Sequence, residues 1–359
     1  MTITTGRGEL IRLHLSESPY GASQQAADAA YGALDQIAHY PDPDRARLTE
    51  AIADRLGVAA GQVVVGNGSD ELVLLSSLSV GNLNLPGLTT AGTFPGYRIC
   101  LQAVRRGCVE VPLAGTAVDV ERFAAGMRRA GVAYLCNPHN PSGAAMSRDE
   151  MDLLVSAAAR SGVPLVVDEA YHEFTPPGTP AVLDYLNGNA PLLALRTFSK
   201  AHGLAALRIG YAVGNRRLVS AVRRAQCAVP FSANRAGQAA ALAALGDQGH
   251  LERVRQRNRD RRAWFTQELD RRGRRYLPSV TNFVAVEVAE SASVEQRLAE
   301  DHGILVRDAG RFGFPGYVRV SLGELPDLRR LLDVLDELVP GHLTSFNPDS
   351  RLPGIEVKR

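Results

Sequence analysis

Lysines and arginines together number forty in this chain, and only two of them are lysines. One, Lys358, stands next to last. The other, Lys200, sits in RTFSKAHGLAALRIGY (196–211), eight residues ahead of Arg208. A guanidinium stays protonated and cannot condense with a carbonyl, whereas a desolvated lysine can shed its proton and act as a nucleophile. Three further polar clusters invite chemistry: GNGSDE (66–71), NPHNPSG (137–143) and DEAY (168–171). The first reads as a helix start, with Ser69 as its cap and backbone amides free for a phosphate. Its spacing fits neither a dinucleotide fingerprint nor a Walker A loop. Asp168 ends the apolar run PLVV, where an unpaired carboxylate is costly, so it asks for a cationic partner. Taken singly, each cluster also has a plain structural reading as a turn or a cap.

Together they ask for one ligand. It needs a phosphate for Ser69, Ser199 and Arg208, and a cation for Asp168. It also needs a polar group for Asn140 and Tyr171, and an electrophile for Lys200. Pyridoxal 5′-phosphate has all four parts. A carboxylate on its pyridine nitrogen makes the ring an electron sink, and burial beside other cations would free the Lys200 amine to react.

These residues must be brought together by a scaffold. Between about residues 62 and 214, short β-rich runs alternate with helical stretches. The runs are QVVVG (62–66), VAYLCNP (132–138), VPLVVDEAY (163–171), PLLALRTFS (191–199) and LRIGYAVG (207–214). Near-continuous apolar strands separated by helices predict an α/β fold, a mostly parallel sheet covered by helices on both faces. The polar clusters fall at the carboxyl ends of the strands, where such sheets hold their ligands. After Pro230 come helices over 234–246 and 250–273, then short strands and a last helix at LPDLRRLLDVLDEL, a small α+β C-terminal domain. The organisation expected is a large cofactor-binding domain over 29–246, a small domain from 1–28 and 247–340, and a polar tail over 341–359.

Composition narrows the setting. Of the 359 residues 45% are apolar and 22% charged, and the net charge is +2, which gives no general case for nucleic acid or an anionic membrane. The basic run RVRQRNRDRR (253–262) reads as a solvated helix face. Cys100, Cys108, Cys136 and Cys227 form no CxxC pair and show no ligand spacing, so reduced, mostly buried thiols and no metal are expected. There is no apolar signal core and no run of about 18 apolar residues. A cytoplasmic protein is expected.

The motifs SESPYG (16–21), HYPDP (39–43), GNGSDE, TFPGY (93–97), NPHNPSG, VVDEAYHEF (166–174), the Lys200 segment, TNF (281–283), GILVRD (303–308) and YVRVSLG (317–323) follow one another in order. In them the chain resembles the fold-type-I pyridoxal-phosphate aminotransferases, and among these the histidinol-phosphate aminotransferase family, from about residue 9 to 338. The resemblance implies that Lys200 carries the cofactor and shuttles protons. Asp168 would meet the pyridine nitrogen, Asn140 and Tyr171 the ring hydroxyl, and Phe94 the ring face. The phosphate would lie on the Ser69 and Asp70 amides, Thr197 or Ser199, and Arg208. Tyr40 would reach it from a neighbouring subunit, implying a homodimer. Arg319 would clamp the substrate carboxylate, with Arg307 and Tyr20 at the substrate's anionic end. For Arg307 an ion pair with the adjoining Asp308 is the competing reading.

The implied reaction is ping-pong transamination between an amino donor and a 2-oxo acid, with histidinol phosphate and 2-oxoglutarate leading. Aromatic or specialised-pathway amino acids are the alternative, as is a decarboxylase of the threonine-phosphate type. A non-catalytic regulatory module would need a DNA-binding segment for which the chain has no residues to spare. A nucleotide-binding α/β protein would leave Lys200, Asp168 and Arg208 unexplained. Departures from the family pattern concern the substrate side: Ser16 and Ser18 replace two asparagines, and His202 and Ala206 replace a tyrosine and a glycine. For His202 packing is preferred over a cofactor contact.

Overall fold

The computed structural model of the protein describes residues 10–339. Seven strands form the main sheet: β2 (Val63–Gly66), β3 (Gly87–Thr90), β4 (Cys108–Val111), β5 (Val132–Cys136), β6 (Leu165–Asp168), β7 (Leu192–Thr197) and β8 (Gly210–Gly214), after a short β1 (Ile11–Arg12) that lies elsewhere. Their order is β2-β8-β7-β6-β5-β3-β4, parallel except for β8, which runs antiparallel to both neighbours. β5, β6 and β7 are buried throughout, as expected of central strands covered on both faces. The sequence reading had not marked β3 and β4. β4 is the edge strand and exposes Val109 and Glu110 side by side, while the buried β3 beside it reads Gly-Leu-Thr-Thr, so neither shows a continuous apolar run.

Local signals set the crossovers. The helix Arg148–Ser161 between β5 and β6 starts at Ser147, whose hydroxyl accepts the Glu150 amide at 3.3 Å while the Glu150 carboxylate accepts the Ser147 amide at 2.7 Å. It ends at Gly162 in the left-handed region (φ 67), which glycine enters without strain. Its inner face buries Met151, Leu154, Ala157 and Ala158 against the sheet. Trimming Leu154 to alanine there costs about 2–5 kcal/mol.

A second, antiparallel sheet of order β12-β13-β10-β9 is built from β9 (Tyr276–Leu277), β10 (Phe283–Glu287), β12 (Arg307–Asp308) and β13 (Tyr317–Ser321). Beside it β1 pairs in parallel with β11 (Ile304–Leu305), and Leu13 joins a core of Phe265, Leu269, Val284, Val320 and Leu332. The 24-residue helix Gln248–Arg271 carries the basic run. Its arginines are largely engaged: Arg255 and Arg259 pair with Glu252, Arg261 meets Glu324 and the Gly323 carbonyl, and Arg262 donates to the Thr281 carbonyl at 2.8 Å. Arg253 and Arg257 are exposed and the Glu252 pairs lie within the helix itself, so the run is solvated along one side, while Arg261 and Arg262 anchor the neighbouring segments at Gly323 and Thr281.

The four cysteines are free, but only Cys136 is buried; Cys100 and Cys108 are half-buried and Cys227 is exposed at the end of a helix. No helix among the described residues is long and apolar enough to cross a membrane. The expected tail, 341–359, and Lys358 within it lie outside the described residues.

Candidate active site

The carboxyl ends of β5, β6 and β7 lie side by side, with Cys136 opposite Asp168 and Asp168 opposite Leu195. Asn140, Asp168 and Lys200 therefore emerge at one edge of the sheet. Just behind it a buried ion pair joins Glu169 to Arg196 at 2.9 Å, and the second Glu169 oxygen accepts the Val182 amide at 2.7 Å. This pair, with both partners almost wholly buried, couples the residue after Asp168 to the one before Thr197.

Arg208 organises an anion-binding corner. It adopts the left-handed conformation (φ 50, ψ 64) at the end of a short 3-10 turn. Nη2 pairs with Asp70 at 3.0 Å, while Nη1 donates to the Ser199 hydroxyl at 3.3 Å and to the Ala205 carbonyl at 3.0 Å. Thr197 donates its hydroxyl to Ser199 at 2.9 Å. Opposite lies the start of the helix Gly68–Ser79, whose first-turn amides have no acceptor within the helix. A side chain on Gly68 (φ 76) would place its Cβ 2.6 Å from Nη2 of Arg208, so only glycine lets the two approach. The capping position is Asn67, not Ser69 as expected: Ser69 already lies in the first turn, and the Glu71 carboxylate accepts the Asn67 amide at 2.7 Å. The shift by two residues leaves the Ser69 and Asp70 amides within the first turn, on the Arg208 side.

Asp168 is 6% exposed. One oxygen accepts the Tyr97 hydroxyl at 2.7 Å and the other the Ala170 amide at 3.1 Å. Burial pushes its carboxyl up to about 6, against the pull of those two hydrogen bonds. Phe94 lies edge-on to Tyr97, with centroids 5.4 Å apart.

Lys200 donates from Nζ to the Leu15 carbonyl at 2.8 Å and stands 5.8 Å from the centre of the Tyr171 ring. Burial, and then the charge of Arg319, lower its pKa from 10.5 to about 8. At neutral pH roughly a tenth is therefore the free amine, and about half is at pH 8. Tyr171 is buried, its phenol raised to about 12 by burial, and packs edge-on against Phe283 at 5.1 Å.

Arg319 crosses from β13 to the main sheet. Nη1 donates to Oδ1 of Asn140 at 2.6 Å and Nη2 to the His14 carbonyl at 2.8 Å, while Nε is buried without a partner. It is 5% exposed and has no ion pair with a carboxylate among the described residues; it lies over Phe283 and Phe312. A buried guanidinium in that state is poised to take an anion. Arg307 is its cross-strand neighbour, also against Phe312, at 5.5 Å. The Asp308 carboxylate accepts the Gly310 amide and pairs with Arg311 at 3.6 Å, which disfavours the reading of Arg307 as its ion-pair partner.

Tyr20 lies under the Arg257 guanidinium at 4.5 Å, with its hydroxyl buried and unpartnered. Tyr40 stands apart from the group, 76% exposed and stacked on Phe231 at 4.4 Å. His202 is a packing residue: it is buried against Phe198 at 5.0 Å, and burial lowers its pKa to about 4, so it stays neutral. Ser16 is wholly buried at φ 52, tied through its amide to Ser321 at 2.8 Å and through its carbonyl to Asn282 at 3.0 Å. The Ser18 hydroxyl is buried without a partner, and the Ser16 hydroxyl faces Tyr171.

Sequence reasoning gave no role to Tyr97 or to the Leu15 and His14 carbonyls. Tyr97 was visible in TFPGY but reads as a core aromatic, and backbone acceptors carry no sequence signal. The assembled set fits pyridoxal 5′-phosphate: a phosphate corner at Arg208 that glycine keeps open, a buried carboxylate for a cation, and an amine of lowered pKa between them.

Comparison with known proteins agrees. The family model for aminotransferase class I and II matches residues 9–335. The histidinol-phosphate aminotransferase of Brevibacillus brevis is 36% identical over 344 residues, 94% of this chain and 93% of that protein. The crystal structure of histidinol-phosphate aminotransferase from Sinorhizobium meliloti in complex with pyridoxal 5′-phosphate superposes with a TM-score of 0.83 at 30% identity, covering 93% of this chain and 91% of that one. Aspartate aminotransferase from Thermus thermophilus, 22% identical with a TM-score of 0.81 over 92% of each chain, shares the fold. From strand ends to sequence, the chain belongs to the class I and II aminotransferases, enzymes that work with pyridoxal 5′-phosphate.

Proposed function

We propose that this aminotransferase exchanges an amino group between histidinol phosphate and 2-oxoglutarate in a ping-pong reaction. The observation that carries the reading is Arg319, buried, free of any carboxylate among the described residues, and beside Arg307 on the adjoining strand. Two neighbouring guanidiniums against one aromatic face accept a phosphate monoester or a dicarboxylate equally well, because both present oxygens for bidentate hydrogen bonds. The names of relatives such as the Brevibacillus brevis enzyme support the phosphate-bearing amine.

When bound, pyridoxal 5′-phosphate supplies an aldehyde that condenses with amines and a ring that withdraws electrons. The protein's residues would do the rest. The Asp168 carboxylate holds the ring nitrogen in its protonated form. Arg208, Ser199, Thr197 and the Ser69 and Asp70 amides would hold the phosphate, Asn140 and Tyr171 would serve the ring hydroxyl, and Phe94 would serve the ring. Lys200 would be the residue that holds the cofactor through its amine, and its Nζ would be the atom that carries the proton in transamination. Arg319 would bind a carboxylate of glutamate or, in its place, the phosphate of histidinol phosphate, with Arg307 and Tyr20 toward the same anionic end.

The same reading makes the enzyme a cytoplasmic homodimer. Tyr31, Leu34, Ile37 and Tyr40 are all exposed on one stretch, Ile37 by 80%, and Phe231 adjoins them through Tyr40. An apolar surface of this kind favours a second copy, whose active site Tyr40 would then reach. We further take 29–246 as the large domain and 1–28 with 247–340 as the small one; support comes from the pairing of β1 with β11 and from the long helix that begins at Gln248.

A donor and acceptor screen that follows the cofactor's absorbance tests the assignment. Histidinol phosphate and glutamate should each complete a half-reaction. Failure of both discards the substrates, and release of carbon dioxide without need of an oxo acid replaces transamination by decarboxylation.

A further inference from the structure

Tyr97 is in the site, yet no role above uses it. Its side chain is wholly buried and its hydroxyl donates to Oδ2 of Asp168 at 2.7 Å. Its ring is fixed on two sides, stacked on Tyr134 at 5.5 Å and edge-on to Phe94 at 5.4 Å. Tyr134 is itself held by the Ser76 and Ser77 hydroxyls at 2.8 and 2.9 Å. The ring is thus held with its hydroxyl against Asp168, with the Cys136 thiol as its other close side-chain neighbour.

We propose that Tyr97 is a positioning residue for the reaction: its hydroxyl orients the Asp168 carboxylate and keeps it ionised, and the carboxylate in turn holds the cofactor's ring nitrogen protonated. The inference rests on the reading of Asp168 given under Proposed function.

The groups around Asp168 explain why a donor is needed. Burial favours its neutral form, and the charges of Asp70, on the helix opposite, and of Glu169, next in the chain, push the same way. Cys136, on β5, and Tyr171 also face it, and burial keeps both of them neutral. Against these stand two hydrogen bonds, from Tyr97 and from the Ala170 amide. Burial, reinforced by the Asp168 charge, raises the Tyr97 phenol well above its ordinary range, so it remains a neutral donor throughout the working pH. Phenylalanine at this position keeps the stacking and removes only the donor.

The test compares wild type, Tyr97→Phe, Asp168→Asn and wild type carrying 3-fluorotyrosine at position 97. The carboxyl band of cofactor-free protein is titrated by infrared spectroscopy, Asp168→Asn serving to assign it. Losing one hydrogen bond to a charged group should raise the midpoint in Tyr97→Phe by about one to two pH units. The more acidic fluorophenol should lower it without disturbing the fold. Tyr97→Phe should also bind pyridoxal 5′-phosphate about tenfold more weakly at neutral pH. Its kcat should fall at least about tenfold with KM for the amino donor within about twofold, and the acidic limb of its pH profile should move upward with the midpoint. If neither replacement moves the midpoint, or if Tyr97→Phe keeps kcat and cofactor affinity while Asp168→Asn loses both, the role of Tyr97 is wrong. If Asp168→Asn itself keeps both, the reading of Asp168 fails first, and this inference with it.

Discussion

Replacing Arg319 by lysine keeps a positive charge at the clamp and removes the fork. The guanidinium now reaches Asn140 at 2.6 Å and the His14 carbonyl at 2.8 Å, and its Nε is buried without a partner. A bound carboxylate can take two parallel hydrogen bonds from such a group, whereas an ammonium offers a single point of attachment. One hydrogen bond to a charged group contributes about 1.5–3 kcal/mol, and about 1.4 kcal/mol is tenfold in rate. Arg319→Lys should therefore lower kcat/KM for the carboxylate-bearing substrate roughly 10- to 150-fold. Stopped-flow half-reactions at the cofactor's absorbance measure this, with cofactor affinity determined in parallel. Cofactor affinity should stay within about threefold, since Arg208 and Asp168 are untouched. A loss in kcat/KM below about threefold would refute the clamp. A loss of equal size in cofactor affinity would show that Arg319 acts by holding Asn140 instead.

The two other perturbations bear on Lys200 and on the exposed apolar stretch. The folded chain holds the Lys200 proton less tightly than the unfolded chain does, with a pKa lowered from 10.5 to about 8. Between those values the unfolded state binds more protons, so this group adds stability to the cofactor-free protein as pH rises through the window. Urea midpoints of wild type and Lys200→Met should accordingly diverge from pH 8 to 10 in favour of wild type, and a flat difference would mean the amine is not desolvated. Ile37, 80% exposed, should tolerate aspartate without loss of melting temperature. In the dimer the same charge would be buried, so Ile37→Asp should sediment as a monomer where wild type sediments as a dimer.

How legible the site was depends on what kind of signal each residue leaves. Lys200 stood out because the chain uses almost no other lysine. Asp168, Asn140 and Ser199 were readable because fully buried strands leave long apolar runs, and polar residues at their ends are conspicuous. β3 and β4 were not readable, since β4 exposes its two middle residues at the sheet's edge and half of β3 is threonine. The contact between Arg319 and Asn140 joins residues 179 positions apart, and no local pattern announces it. Tyr97 was hidden for a different reason: an aromatic in a helix usually fills a core, and here it does that while also donating to Asp168. The expected cap at Ser69 slipped by two residues because Gly68, which Arg208 requires to be glycine, takes the first helical position instead. Arg208 was foreseen as the phosphate's counter-charge, but its left-handed backbone was not.

The central claim is that Lys200 is the amine on which the chemistry turns. Borohydride reduction of the cofactor-loaded enzyme, followed by peptide mapping, tests it directly, because the chain offers only two lysines. The cofactor should be found on the peptide containing Lys200, in amounts approaching one per chain. Finding it on Lys358, or on neither lysine, would contradict the account.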